Sequence, residues 1–140
     1  MAKTLSTLLG AVFILVGIVG FVSPGFMGTH LSLLHNCVHI ISGAIALYFG
    51  LAGSLSGARM FCLVFGAVYL LLGVVGWLAG GADQVMSAGM HGMSPDPKLL
   101  KIIPGQLELG QMDHIVHVLL GVVFLAGGVL TKGASSPSSD

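Results

Sequence analysis

Four long stretches of this chain carry almost no charge, and they decide what it can fold into. They cover residues 5–22, 34–52, 58–79 and 114–130, and are built mainly from Leu, Val, Ile, Ala, Gly and Phe. Crossing the hydrocarbon of a bilayer takes roughly 20 apolar residues at about 1.5 Å of rise each. Lipid offers no partner for backbone N–H and C=O groups, so each stretch must be a helix. A membrane barrel needs alternating polar and apolar positions, and no segment shows them. Charged residues are only 7% of the 140, against about a quarter in soluble domains. That is too few to cover a water-facing surface. The formal net charge is zero, so no basic surface points to nucleic acid.

The expectation is an all-α membrane protein with four transmembrane helices in one domain over residues 1–132. A long loop spans 80–113, and the polar tail 133–140 reads as disordered. Lys3 before an apolar run has the look of a signal peptide. The run is long, however, and no small-x-small site closes it, so the first span is expected to be retained. Lys3, Arg59 and Lys132 fall on one side of this topology, and Lys98 and Lys101 on the other. The positive-inside rule then puts both termini in the cytoplasm of a bacterial inner membrane, by a small margin. Cys37 and Cys62 lie towards opposite faces and are not expected to pair.

The chain also repeats itself. "GAVFILVGIVGFV" (10–22) aligns without a gap on "GAVYLLLGVVGWL" (66–78), and "NCVHIISG" (36–43) aligns on "HIVHVLLG" (114–121). Phe13 thus matches Tyr69, His39 matches His117, and Asn36 matches His114. Two hairpins of one kind, each starting and ending on the same side, make a parallel repeat and a four-helix bundle. Glycines recur every seventh residue at Gly10/Gly17, Gly43/Gly50 and Gly66/Gly73/Gly80. One small-residue face per helix lets backbones approach closely.

The duplication gives the polar residues of the second and fourth spans a shared meaning. Residues three or four apart share a helix face, so His35 pairs with His39 and His114 with His117. If both faces turn inward, four imidazoles converge beneath the outer surface, with Asn36 beside them. Asp113 is placed to cap the fourth helix and orient a histidine. Ionisable residues inside a membrane are candidates for function. Three uses stay open: hydrogen bonds that tie the helices together, proton handling or pH sensing, and ligation. Ligation would involve a transition metal, haem or a chlorophyll-type pigment. In the long loop, Met86, Met90, His91 and Met93 are soft ligands suited to copper(I), or else an apolar strip on the membrane surface. "KLLKII" (98–103) is expected to form one helical turn at the interface, between prolines that stop regular structure. His30 is expected to meet water.

No phosphate-binding loop, HExxH, GxSxG or CxxC is present. No Asp, Glu, Lys or Arg sits in a span centre, which argues against an ion pump or a carrier of charged substrates. The chain is therefore expected not to be an enzyme. A small accessory or assembly subunit of a larger membrane complex fits its apolar helices, with lipid and other membrane subunits as partners.

His35, Asn36, Val38 and His39 form an "HNxVH" element. Ala58, Arg59, Phe61, Phe65, Gly66, Val68 and Tyr69 form "ARxFxxxFGxVY", and His117 precedes Gly121 in the fourth span. In these elements, over residues 5–130, the chain resembles the bacterial membrane family called domain of unknown function 4383. The resemblance implies four spans and marks the histidines as family features. It names no ligand. The enlarged methionine loop departs from the pattern.

Overall fold

The computed structural model describes residues 1–87 and 95–132. Four long helices account for most of them: α1 (Ala2–Val22), α2 (Leu33–Leu51), α3 (Leu55–Ala79) and α4 (Gln111–Leu130). All four are long and apolar enough to cross a membrane. A single 3-10 turn, Phe26–Gly28, lies between α1 and α2. Strands β1 (Gly81–Asp83), β2 (Asp96–Ile103) and β3 (Leu107–Leu109) lie between α3 and α4. Val22, Leu51, Leu71, Leu78 and Val129 are among the large apolar side chains left exposed on the helices, as lipid-facing positions must be.

All four helices begin earlier than hydropathy alone implies, and polar residues cap the starts of three of them. Ser32 Oγ accepts from His35 N–H (3.3 Å) and Ser54 Oγ from Gly57 N–H (3.0 Å). Asp113 Oδ2 accepts from Gly110 N–H (2.8 Å) at the start of α4. Each bond satisfies a donor that the first turn leaves free.

Within each hairpin the backbones touch at glycine. A Cβ on Gly10 would lie 2.9 Å from Gly43 O, and one on Gly66 would lie 2.9 Å from Gly121 O. Gly73 meets α4 in the same way, 2.8 Å from His114 O. Between the hairpins the filling is aromatic. Phe13 stacks on Tyr69 with ring centroids 5.4 Å apart, and Phe49 on Phe61 at 5.2 Å. Phe124 closes this core, fully buried.

The long loop departs from expectation. Its described part is a three-stranded antiparallel sheet in the order β1-β2-β3. "KLLKII" is part of β2, not a helical turn, because Leu100 pairs with Leu109, Lys101 with Glu108 and Ile103 with Leu107. The prolines do not stop it. Pro97 lies near the start of the strand, and Pro104 precedes Gly105 in the reversal that follows it. There Gln106 N–H donates to Ile103 O (2.9 Å) and Gly105 has φ +75°. Proline followed by a positive-φ glycine is the signature of a type II turn. Residues 133–140 lie outside the described part.

Candidate functional site

The site lies at the sheet end of the helices. His35 and His39 sit on one face of α2, rings stacked with centroids 4.6 Å apart. His117 of α4 approaches His35 with centroids 6.1 Å apart. His39 packs on Phe13 at 5.5 Å, and His117 meets Tyr69 edge-on at 5.0 Å. His39 and His117 each lie six residues into their helices, about 9 Å along the axis.

The fourth histidine does not join them. His114 is fully buried, but its ring lies against Gly76 of α3. Its Nε2–H donates to Lys98 O in β2 (2.7 Å). Asn36 sits in the same way against Gly20 of α1, and its Nδ2–H donates to Leu31 O (3.2 Å). Both side chains tie a helix start to the adjoining loop. Asp113 stands where a fourth imidazole was expected. It lines the same cavity as His35, His39 and His117.

That cavity has a volume of about 200 Å³. Val12, Phe13 and Val16 of α1 form one wall, and Val116, His117 and Leu120 of α4 another. Phe26, Met27, Thr29 and Leu31 cover it. Met27 adopts a left-handed backbone, φ 55° and ψ 22°, which costs a non-glycine residue about 1–2 kcal/mol. Val12, Phe26 and Met27 are also exposed on the molecular surface. These three residues put the opening of the cavity beside α1 and the turn that follows it.

The hydrogen bonding of the histidines is incomplete. His35 Nδ1–H donates to His30 O (2.8 Å). His39 and His117 are 6% and 5% exposed, and the Nδ1 of each is buried without a partner. Buried polar atoms are hydrogen-bonded in the great majority of cases, so each exception asks for a reason. Among the described residues, no group of three or more His, Cys, Asp or Glu side chains is arranged to hold a metal ion. Met86 is exposed beside the sheet and accepts a long contact from Lys101 Nζ (3.8 Å). Met90, His91 and Met93 lie outside the described residues. Cys37 and Cys62 are both free thiols.

His30 does not meet water. It is 4% exposed, and its Nε2–H donates to Asp96 Oδ2 (3.0 Å). Its backbone N–H donates to Asp113 Oδ2 (3.0 Å). One residue thus joins the α1–α2 loop to the sheet and to α4. Asp96 also accepts from Lys98 N–H (2.8 Å) and Gln111 N–H (3.0 Å). On the next strand, fully buried Glu108 accepts from Met86 N–H (2.7 Å), Ser87 N–H (2.9 Å) and Gly105 N–H (3.0 Å). Burial pushes its pKa up, but these donors together with the Ser87 hydroxyl outweigh it and hold the carboxyl below its usual range. Asp83 is held low by its exposed ion pair with Lys101. Nothing local marked His30 for this role, since its partner lies 66 positions away. "IIPGQLEL" did carry a signal for the sheet, a Pro-Gly reversal between two apolar runs.

Four helices able to cross a bilayer, with imidazoles buried at one end, define a multi-pass membrane protein. The chain belongs to the DUF4383 family, a domain of unknown function whose model matches residues 3–130. No curated protein and no solved structure gives a match.

Proposed function

We propose that this chain is a non-enzymatic accessory protein of the bacterial inner membrane, and that it holds a small ligand in its histidine cavity. One observation carries the reading. Two buried imidazoles, His39 and His117, line a single cavity, and the Nδ1 of each has no partner in the protein. His30 and His114 also have a buried Nδ1 without a partner, but each is tied to the protein through Nε2. Among the described residues His39 and His117 have no hydrogen bond through either ring nitrogen, and unpartnered buried polar atoms cost about 1–3 kcal/mol each.

The duplication supports this as a shared site between two halves of one bundle. Residues 56 positions apart meet across the centre. Ser6 Oγ lies 3.4 Å from Cys62 Sγ, and Phe13 stacks on Tyr69. Phe13 packs on His39 as Tyr69 packs on His117. These pairs fit a two-fold axis along the membrane normal, with the histidine cavity beside it in the outer leaflet.

The test is an absorption spectrum, metal analysis and organic extraction of protein purified in mild detergent. It is compared with a His39→Ala, His117→Ala double variant. The reading expects a bound metal, pigment or organic molecule in the wild type that the variant loses while keeping its helicity. A wild type that carries nothing contradicts it.

A further inference from the structure

The end of the helices away from the sheet carries another cavity, independent of the histidines. Leu55, Ser56, Arg59, Met60 and Leu63 of α3 line it together with Lys132, which follows α4, in a groove of about 290 Å³. We propose that this groove binds the phosphate headgroup of an anionic membrane phospholipid, with the acyl chains lying along α3.

Charge points to an anion. Asp83, Asp96, Glu108 and Asp113, the acidic side chains among the described residues, all lie in the sheet or in the first turn of α4. Lys3, Arg59 and Lys132 lie at the opposite end. Among the described residues neither Arg59 nor Lys132 has a carboxylate partner. Arg59 is also held in place. Its Nε–H donates to Gly128 O in the last turn of α4 (3.1 Å), which fixes the guanidinium between the two helices. That bond caps α4 but uses only one of the guanidinium donors, and among the described residues the others have no partner. A guanidinium fork beside a lysine ammonium matches phosphate oxygens. The start of α3 lies beside both, and its dipole favours the same sign of ligand.

The wall selects a lipid over a free anion. Beside the two cations the groove is lined by Leu55, Met60 and Leu63. Met60 is 61% exposed, and Val64, one turn further along α3, is 54% exposed. The apolar surface thus runs on from the groove down the outside of a helix able to cross a bilayer. An acyl chain can lie on that surface, and inorganic phosphate has nothing to place there. Basic pockets between helices at the membrane surface suit anionic headgroups. A zwitterionic head would bring its own ammonium group against two cations, which disfavours it. The duplication sets the number of sites. Carried on without a gap, the alignment of the two halves matches Arg59 to Lys3 and Lys132 to Ser54. The first hairpin has one cation where the second has two, so one site per chain follows.

The probe is phosphatidylglycerol, titrated into purified protein in a mild neutral detergent and compared with phosphatidylcholine of the same chains. Native mass spectrometry counts the lipids retained. One phosphatidylglycerol per chain is expected at concentrations where phosphatidylcholine is not held. An Arg59→Gln, Lys132→Gln pair should weaken its binding by about thirtyfold, and Lys132→Gln alone by about fivefold. The single variant leaves the bond from Arg59 to Gly128 in place, so it reads the site even if the pair does not fold. Lys98→Gln, at the sheet end, should leave binding unchanged. Excess inorganic phosphate should not displace the lipid. Equal retention of the two lipids overturns the proposal, and so does unchanged binding by Lys132→Gln. An equal loss in Lys98→Gln would show a diffuse effect of charge and overturns it too. Displacement by inorganic phosphate would assign the groove to a free anion and refute the lipid.

Discussion

Gly66→Ala adds one methyl group where two helices touch. The new Cβ would lie 2.7 Å from Leu125 N and 2.9 Å from Gly121 O. Both are backbone atoms of α4 and cannot swing aside as a flexible side chain would. Ordinary contact begins at 3.4 Å, so α3 and α4 must part locally by about 0.7 Å. Overpacking of this kind costs about 1–3 kcal/mol. Separating the helices also loosens close contact along the pair, which drives association where lipid is as apolar as the side chains. Gly10→Ala should cost a similar amount in the other hairpin, since its Cβ would meet Gly43 O and Leu47 N at 2.9 Å. Gly81→Ala is the control: nothing lies within 4 Å of its Cβ, and the change should stay within about 0.5 kcal/mol. Reversible unfolding in mixed micelles, followed by circular dichroism, reads all three. The double variant Gly10→Ala, Gly66→Ala should sum the single losses, as the contacts share no partners. If Gly66→Ala is as stable as Gly81→Ala, the backbones do not meet at glycine and the packing account is wrong.

Glu108→Gln should raise amide exchange across residues 99–109 by about tenfold, because a charged acceptor for several donors becomes a neutral one; exchange in α1 should not change. The same carboxylate gives the sheet a pH limit. Its pKa is lowered in the fold, so its contribution is complete above the usual carboxylate value of about 4.3 and is lost as pH falls through the lower folded value. Hydrogen exchange of the sheet as a function of pH checks this, and protection that holds steady down to pH 2 contradicts it. His30→Ala should free both the α1–α2 loop and the sheet, seen as new protease cleavage in residues 23–32 and 81–109; cleavage confined to one segment would show that His30 does not join them. A Ser56→Cys variant lacking Cys37 and Cys62 should be blocked by a membrane-impermeant thiol reagent only in inverted vesicles, and blocking in intact spheroplasts would reverse the proposed orientation.

The helices were legible because lipid leaves the backbone no alternative, and the close contacts were legible because glycine spacing marks one helix face. The composition of the site was only half legible. Equal spacing within "HNCVH" and "DHIVH" invites a four-histidine reading. The alignment of the two stretches already sets Asn36 against His114, and with it His35 against Asp113. The structure follows that register: Asn36 lies on Gly20 and His114 on Gly76, while Asp113 shares the cavity with His35. Helical periodicity says which residues share a face. It does not say which neighbour each one meets, and here glycines on α1 and α3 made that choice. His30 and the sheet were less legible still. Their bonds join segments far apart in sequence, and the small residues around "HGMSPDP" hide a strand that pairing with Leu107–Leu109 completes.

The most direct measurement is a native mass spectrum of the protein extracted from its own membranes without added ligand. The account predicts a mass above that of the polypeptide by one bound ligand, absent from the folded His39→Ala, His117→Ala variant. Bare polypeptide mass in both proteins, with equal thermal stability, would contradict a ligand between His39 and His117.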